Sequence, residues 1–564
     1  MISRRDFATA AASAAALLAG SAGRLAHVAA QARLSQADLL RFEPLGNVTL
    51  LHVTDIHGQL MPIHFREPSI NIGVGEAKGK VPHLTGADVR AAFKLPAKSP
   101  DAFALSHEDF AELAKTYGRM GGIDRLATLI KAVRAERGDK VLLLDGGDTW
   151  TNSWTSLRTE GADMVEVMNL LKPDAITGHW EFTLGEARVR TIIDNLPFAF
   201  LAQNIRDAEF EDRVFPAQKT FEAGGVKIAV IGQAFPFTPI ANPRWMIPNW
   251  TFGIREDGMQ KEVDAARAAG ADLVVVLSHN GFDVDRKMVS RLKGIDVILT
   301  GHTHDAVPEV TQIGRTLMIA SGCHGKFLSR LDLDVRGKEI KGFRYRLIPV
   351  FADAITPDAE IAAAIANVRK PYEGELKRVL ATSDTLLYRR GSFNGTLDDV
   401  ICDAILKRRD AEIALSPGVR WGTSILPGQA ITFEDVTNAT AMSYPACYRT
   451  GMSGARLKEI LEDVADNIFN PDPYFQQGGD MVRTGGLAYA IDVSRPIGNR
   501  ISQMTMMATG AAIEPAKEYV VAGWAAVNEG VEGPPIWDVV AGHLADKKSI
   551  AVTPADSVKI SGHQ

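Results

Sequence analysis

The sequence contains few cysteines, no excess of positive charge and no long apolar run downstream of its N-terminus. Its 564 residues include three cysteines, Cys323, Cys402 and Cys447, too few and too scattered for a disulfide framework or a cysteine-type zinc site. The formal net charge of -6 gives no basic surface for nucleic acid. No later run approaches the roughly 18 apolar residues of a membrane span. We therefore expect a soluble mature protein with neither a nucleic-acid partner nor a membrane anchor.

The N-terminus has the order of features found in a twin-arginine export signal. Arg4 and Arg5 precede Phe7 and an Ala-rich, weakly apolar stretch at residues 8–20. The pattern predicts a signal peptide over residues 1–32 and a periplasmic mature protein. The alternative is a basic tail on a cytosolic enzyme.

Five short polar signatures each follow an apolar run. The runs lie at residues 48–53, 141–144, 174–177, 273–277 and 295–299, and are rich in residues that suit buried strands. The signatures that follow are Asp55-Ile56-His57, Gly147-Asp148, Gly178-His179-Trp180-Glu181-Phe182, Ser278-His279-Asn280 and Gly301-His302-Thr303-His304. In open α/β sheets, the carboxyl ends of several strands converge at one edge. One histidine after a strand is usually an ordinary loop residue, but five cases in one chain indicate a site.

These signatures supply ligands for two divalent metal ions. Asp55 and His57 offer a carboxylate and an imidazole to a first ion, and Asp148 can bridge to a second. His304 completes the first set, and the remaining predicted ligands of the second ion are His179, His279 and His302. Two ions roughly 3.5 to 4 Å apart generate hydroxide near neutral pH and hold the oxygens of a tetrahedral centre. The predicted reaction is hydrolysis of an anionic ester or its analogue.

Strand and helix patterns alternate over residues 45–352, which predicts an α/β catalytic domain. A proline-rich insertion at residues 61–115 leaves from the predicted metal edge, where it either shapes the cleft or is a surface elaboration. A linker at residues 353–381 is predicted to contain a charged helix over residues 357–381. A second domain follows over residues 382–564.

The order and identity of these motifs resemble those of the calcineurin-like metallophosphoesterases, and specifically the two-domain 5′-nucleotidase family. The resemblance covers nearly the whole predicted mature chain. It implies an α/β fold in which an N-terminal four-layer αββα sandwich precedes a C-terminal α/β domain that contributes substrate recognition across a cleft. A histidine-rich second site would bind zinc or iron as well as manganese.

The third signature departs from that family's pattern. Members carry Gly-Asn-His-Glu-Phe-Asp, where the histidine, oriented by the aspartate, stabilises the transition state or leaving group; here His179, Trp180 and Thr183 replace Asn, His and Asp. The acid pair is lost, although such a donor typically contributes about 10² to 10⁴ in rate. A sulfur leaving group departs without acid assistance, because thiols have pKa values of about 8.5 and persulfides have lower pKa values. The substitution favours S–S over P–O cleavage, with Trp180 as a wall of the site.

This variant resembles the thiosulfohydrolases of the periplasmic Sox sulfur-oxidation system. The resemblance implies two Mn²⁺ ions and hydrolytic release of sulfate from a cysteine S-thiosulfonate on the mobile arm of the SoxYZ carrier protein. Two alternatives stay open: a periplasmic 5′-nucleotidase or phosphodiesterase, and a non-catalytic metal-binding module that docks other proteins.

Three further residues are candidates for the site. Arg420 and Arg483 each lie in a Gly-rich loop and are predicted to bind an anion, the alternative being turn glycines with a surface ion pair. His324 follows another strand-like run and is either a proton donor or support for the metal ligands, or a loop histidine without a catalytic part. Its neighbour Cys323 is interpreted as a buried thiol rather than a nucleophile.

Overall fold

The computed structural model describes residues 34–389 and 393–563. The predicted signal peptide at residues 1–32 lies outside the described residues. Within the described part of the chain, no helix is both long and apolar enough to cross a membrane. The three cysteines are buried.

Two six-stranded sheets form the N-terminal half. Its strands are β1 (Val48–Val53), β2 (Val141–Asp145), β3 (Ala175–Ile176), β4 (Ala199–Phe200), β5 (Arg206–Asp207), β6 (Gln218–Ala223), β7 (Val226–Gln233), β8 (Trp250–Thr251), β9 (Leu273–Ser278), β10 (Val297–Thr300), β11 (Thr311–Ile313), β12 (Thr316–Ala320), β13 (Phe327–Arg336) and β14 (Glu339–Pro349). The first sheet has the order β14-β13-β1-β2-β3-β4 and the second β11-β12-β10-β9-β7-β6. Strands β1 to β4 are parallel, as are β7, β9, β10 and β12.

The two sheets pack face to face and are covered by helices on their outer faces. Leu50 and Leu142 of the first sheet share one apolar cluster with Val230 and Val275 of the second. Strands β1 and β9 are buried along their whole length, which explains why most of their residues are apolar. The predicted α/β fold with an αββα sandwich is confirmed.

The helices begin and end at the following residues. They are Gln36–Leu40, Gly86–Ala92, Pro100–Leu105, Phe110–Tyr117, Ile123–Arg137, Trp154–Thr159, Ala162–Leu171, Glu186–Ile193, Thr238–Ala241, Glu256–Ala268, Phe282–Arg291, Ala359–Arg369, Glu373–Leu376, Thr396–Arg408, Phe433–Thr440, Gly454–Phe469 and Ile536–Lys547. Short 3₁₀ segments are Gly75–Ala77, Gly138–Lys140, Trp180–Leu184, Arg244–Met246, Lys370–Tyr372 and Pro473–Phe475. The segment Trp180–Leu184 begins directly after the ligand His179.

The C-terminal half contains three smaller sheets. Its strands are β15 (Val379–Ser383), β16 (Ile413–Gly418), β17 (Ala430–Thr432), β18 (Tyr448–Ser453), β19 (Asp480–Gly485), β20 (Leu487–Asp492), β21 (Ile501–Met506), β22 (Glu518–Gly523), β23 (Ser549–Ile550) and β24 (Val558–Ser561). The sheet orders are β18-β22-β16-β19, β17-β15-β23 and β21-β20-β24. The single helix predicted over residues 357–381 is wrong: Lys370–Tyr372 interrupts it, and β15 begins at Val379 because that segment pairs with β17 and β23.

The insertion at residues 61–115 contacts both halves of the protein. Residues 63–67, here named the strap, lie between them. On one side, Ile63 exchanges backbone hydrogen bonds of 2.9 Å with Met120, and Glu67 forms an ion pair with the buried Lys326. On the other side, the Ser424 N–H donates to the His64 carbonyl at 2.7 Å. The surface-elaboration alternative therefore does not describe this part of the insertion.

Candidate metal centre

All five ligand signatures lie at the carboxyl ends of parallel strands, after β1, β2, β3, β9 and β10. The backbone turns sharply there. Asp55, His57, Asp148, His302 and His304 have φ angles of 53°, 54°, 57°, 74° and 60°. This left-handed region is uncommon for residues other than glycine, and it is concentrated at functional sites. The turns bring side chains from five strand ends to one place.

One cluster contains Asp148, His179, His279 and His302, whose candidate ligand atoms all lie within 4.8 Å of one another. His279 Nε2 is 3.0 Å and His179 Nδ1 is 3.2 Å from Asp148 Oδ2. The His302 ring is reached from the C-terminal half, where the Gln477 carbonyl lies 2.9 Å from His302 Nε2. That contact leaves His302 Nδ1 as the nitrogen for a metal ion.

A second cluster contains Asp55, His57, Asp148 and His304, again within 4.8 Å. His304 Nε2 is 3.2 Å from Asp55 Oδ1 and 2.9 Å from His57 Nε2. His57 Nε2 is 3.7 Å from Asp148 Oδ2. Asp148 thus belongs to both clusters, which is the arrangement that a bridging carboxylate requires.

The imidazole nitrogens and carboxylates of the two clusters do not satisfy one another fully by hydrogen bonds, and divalent cations suit them better. His57 Nε2 and His304 Nε2 face each other, and two imidazole nitrogens bond in this way only if one carries a proton. The buried Nε2 of His179 has no hydrogen-bond partner among the described residues, although such atoms are costly when left unpaired. A cation in each cluster resolves the first conflict and neutralises the buried carboxylates. The structure therefore supports two metal sites, and imidazole with carboxylate suits manganese, zinc or iron.

The surroundings favour the metal-binding protonation states of Asp148 and His302. Burial opposes ionisation of Asp148, yet His179 and His279 hold the pKa of its carboxyl well below the usual range. Burial, assisted by His179, holds the pKa of His302 well below that of an ordinary histidine. An ionised carboxylate and a neutral imidazole are both competent ligands. At His279, by contrast, burial opposes protonation but is outweighed by the carboxylates of Asp148 and Asp55, which raise the pKa of the ring to about 10, so a metal ion would displace a proton there.

Contacts at Nδ1, the ring nitrogen that faces away from the metal clusters, fix the orientations of His279 and His57. His279 Nδ1 lies 2.6 Å from the Gly146 carbonyl, to which it can only donate. His57 Nδ1 lies 3.1 Å from Asn152 Oδ1. In both residues Nε2 is then left for the cluster. The sequence did not indicate Gly146 or Asn152, because neither belongs to a recognisable spacing.

Trp180 belongs to an aromatic wall built from both halves. Its indole lies edge-on to Trp421 with ring centroids 4.8 Å apart, and parallel to the Tyr444 ring at 6.1 Å. Trp421 lies 5.1 Å from the ring of His57. Trp421 and Tyr444 were missed in the sequence, since only the tertiary structure brings them to Trp180. The position of the family's proton donor therefore presents an apolar surface.

The two candidate arginines lie in different environments. Arg420 lines an opening beside His302, where its Nη2 donates to the Gly479 carbonyl at 2.6 Å and its Nε to Asp480 at 3.3 Å. Arg483 is fully buried, and its guanidinium contacts Asp398 at 3.4 Å and Asp480 at 2.7 Å. Burial between two carboxylates favours a structural role for Arg483, and its anion-binding role stays a prediction.

His324 lies behind the metal clusters rather than in the opening. Its ring centroid is 5.9 Å from that of His57 and 6.1 Å from that of His304. Nδ1 is 2.9 Å from Cys323 Sγ, and Nε2 accepts from the Gly422 N–H at 3.4 Å. The geometry favours support of the ligands, while proton donation by His324 stays a prediction.

The opening beside His302 has walls from three parts of the chain. Asn71 and His83 come from the insertion, Thr303 from a ligand loop, and Arg420 with Gly479 from the C-terminal half. The His83 Nε2 atom lies 2.7 Å from Asp283 Oδ2, which fastens the insertion to the helix Phe282–Arg291. The insertion therefore shapes the approach to the site.

Comparisons with known proteins agree with this architecture. Residues 379–541 match the family model described as 5′-nucleotidase, C-terminal domain. The sulfate thiohydrolase SoxB of Thermus thermophilus is 37% identical, with a TM-score of 0.88 and coverage of 92% of this chain and 98% of that chain. A 5′-nucleotidase precursor from the same organism, 20% identical with a TM-score of 0.72, shares the fold over 91% of this chain and 99% of its own. Rat 5′-nucleotidase is 24% identical over 436 residues, which cover 69% of this chain and 73% of the rat protein.

The two-sheet sandwich with Asp and His clusters at its carboxyl edge defines a class of metal-dependent hydrolases. This chain belongs to the 5′-nucleotidase family of calcineurin-like metallophosphoesterases. Of the three relatives named above, SoxB shares the greatest identity with it.

Proposed function

We propose that this protein releases sulfate from a cysteine S-thiosulfonate on the SoxYZ carrier protein during periplasmic thiosulfate oxidation, after export by the twin-arginine pathway. The observation that carries this proposal is Trp180. At the position where family sequences carry a histidine proton donor, the chain places an indole packed between Trp421 and Tyr444. The similarity to SoxB supports the same substrate class.

The proposed reaction needs no proton donor for the leaving group. Water adds to the terminal sulfonate sulfur, the S–S bond breaks, and its electron pair leaves on the carrier as a persulfide anion. The other product is sulfate, and two protons pass to solvent. Two divalent cations, when bound, supply Lewis-acid activation of water and hold the oxygens of the tetrahedral centre.

Individual residues have distinct proposed roles in this reaction. Asp55, His57 and His304 would hold one cation, His179, His279 and His302 would hold the other, and Asp148 belongs to both sets. Arg420 contacts the incoming anion at the opening, since its guanidinium already lies beside His302. Trp180 excludes water from the leaving sulfur.

The walls of the opening support a substrate that arrives on a narrow, extended carrier. The insertion and the C-terminal half close the approach from two sides, and the strap fixes their separation. A mobile protein arm that bears a modified cysteine fits such an approach. A nucleotide is the second candidate substrate, because the curated relatives are 5′-nucleotidases.

The first test is mass spectrometry of a carrier-arm peptide that bears a cysteine thiosulfonate, incubated with manganese-loaded enzyme. Adenosine monophosphate is tested in parallel, and Asp148→Asn serves as the inactive control. We expect conversion of the peptide to the persulfide with release of sulfate, and no turnover of the nucleotide. Cleavage of the nucleotide with an untouched peptide would overturn the proposal in favour of a nucleotidase.

A further inference from the structure

Glu181 is a buried acid for which the proposed reaction has no use. It is fully inaccessible to solvent and lies two residues after the ligand His179. Its carboxylate accepts four backbone N–H groups, from Asp148 at 3.3 Å, Thr149 at 2.6 Å, Trp150 at 3.3 Å and His179 at 2.8 Å. So many donors on one buried carboxylate indicate a specific structural task.

The four donors come from two loops that carry metal ligands. Oε1 accepts from Thr149 and Trp150, directly after the bridging Asp148. Oε2 accepts from His179 and Asp148, and so spans both loops. The loops follow β2 and β3, which are adjacent parallel strands. Glu181 therefore ties neighbouring strand ends together at the point where both deliver a ligand.

We propose that Glu181 is a positioning residue that assembles the dinuclear site by holding the Asp148 and His179 loops through their backbone N–H groups. The inference concerns metal binding, so it holds whether the substrate is a thiosulfonate or a phosphate ester. It accounts for the left-handed backbone of Asp148, whose φ is 57°, because hydrogen bonds on both sides of that residue keep the turn in place.

An amide cannot replace this carboxylate. Glutamine has nearly the same shape but offers one acceptor oxygen and one NH₂ donor. If the NH₂ took the place of Oε1, it would face the N–H groups of Thr149 and Trp150. If it took the place of Oε2, it would face those of His179 and Asp148. In the first orientation the Asp148 loop keeps only the bond from the Asp148 N–H, and in the second the His179 N–H and Asp148 N–H both lose their acceptor. Either change loosens the position of a metal ligand.

The chain offers a matched control in Glu462. This glutamate is also buried and accepts backbone N–H groups from Gly498, Arg500 and Ile501, at 2.7, 3.2 and 2.7 Å. It lies in the C-terminal half, on the helix Gly454–Phe469, and touches no metal ligand. Glu462→Gln therefore disturbs the same kind of loop anchor at a position away from the metal clusters.

The experiment measures Mn²⁺ binding to the metal-free mature chain by calorimetry, with stoichiometry from elemental analysis and folding from circular dichroism. Outer partners of metal ligands typically change affinity by about 10- to 100-fold when mutated. We expect Glu181→Gln to bind Mn²⁺ at least about tenfold more weakly, and Glu462→Gln to keep the wild-type affinity within about twofold while losing thermal stability.

Two results would overturn the inference. One is wild-type affinity for two ions in Glu181→Gln; the other is an equal loss of affinity in both glutamine variants, which would point to general destabilisation. If Glu181→Gln does not fold, Glu181→Asp decides the matter. That variant keeps the charge but is one methylene too short to reach both loops, so weakened binding supports the inference and wild-type binding contradicts it. No substrate is used, so failure here is distinct from failure of the thiosulfonate proposal.

Discussion

The side chain of Trp180 bears on whether the leaving group is an alkoxide or a persulfide. The indole packs against Trp421 and Tyr444 and contributes apolar contact area where a histidine would contribute a proton. An alkoxide leaving group needs that proton, whereas a persulfide does not. Under the proposed function, the identity of this residue therefore determines which bonds the site breaks efficiently.

Restoring a histidine tests this argument. We expect Trp180→His to leave kcat for the thiosulfonate peptide unchanged or lower, because no proton is required and the aromatic packing is lost. Trp180→Phe, which keeps an apolar ring without an acid, is the control. Steady-state sulfate release reports the outcome for each variant. A gain of tenfold or more in the histidine variant, about 1.4 kcal/mol of transition-state stabilisation, would contradict the leaving-group argument.

The sequence predicted the metal ligands, but it did not predict roles that depend on contacts between distant residues. The metal ligands could be predicted because strand-end position and residue type coincide at each of them. Arg420 and Arg483 could not be distinguished, because both follow glycine-rich turns. Their environments differ because Arg483 is buried against Asp398, a residue distant in sequence that neutralises its charge. Glu181 stood within a predicted signature, yet its role depends on hydrogen bonds that only the folded loops reveal.

The strap differs most from what the sequence predicted for the insertion. Its Glu67 meets Lys326, whose Nζ is almost fully buried and also donates to the Phe65 carbonyl at 3.3 Å. The proline-rich sequence of the insertion predicted a loop that leaves from the metal edge, but it did not indicate contacts with the C-terminal half. The same limit applies to the linker, where charge and periodicity suggested one helix, but pairing with β17 and β23 made a strand of its last residues.

Breaking the buried pair should destabilise the protein strongly. We expect Glu67→Gln to lower the free energy of unfolding by about 3–5 kcal/mol, because Lys326 is left as an uncompensated buried charge. Denaturant unfolding monitored by fluorescence measures the change. The double variant Glu67→Gln with Lys326→Met removes both charges and should recover most of the loss. A single-variant loss under about 1 kcal/mol, the value of a surface pair, would show that the strap is not anchored by this contact.

Both halves of the molecule contact residues around the metal site. The C-terminal half supplies the Gln477 carbonyl to the ligand His302 and the Gly422 N–H to His324. Those contacts could not be predicted from the sequence, which indicated two domains but not how they meet. The metal clusters thus couple to both halves, and not only to the sheets that carry the ligands.

Removal of metal should therefore lower the stability of the entire chain. Ligands that bind only the folded state stabilise it by about 2.7 kcal/mol when their free concentration is 100 times Kd. We expect chelation to lower Tm in a single transition, and added Mn²⁺ to restore it. Differential scanning calorimetry measures both. Two separate transitions, with only one sensitive to metal, would show that the halves unfold independently.

The strap also delays completion of the fold until late in protein synthesis. Its backbone N–H at Arg66 bonds to Ser424 Oγ, 358 positions further along the chain. Residues 63–67 leave the ribosome early, and their partner follows only after most of the polypeptide has been made. Until then, the surface of the first half that contacts residue 424 lacks its partner and stays accessible to chaperones and proteases. A chain released before residue 424 lacks that partner, so cells should clear such fragments rather than accumulate a free catalytic domain.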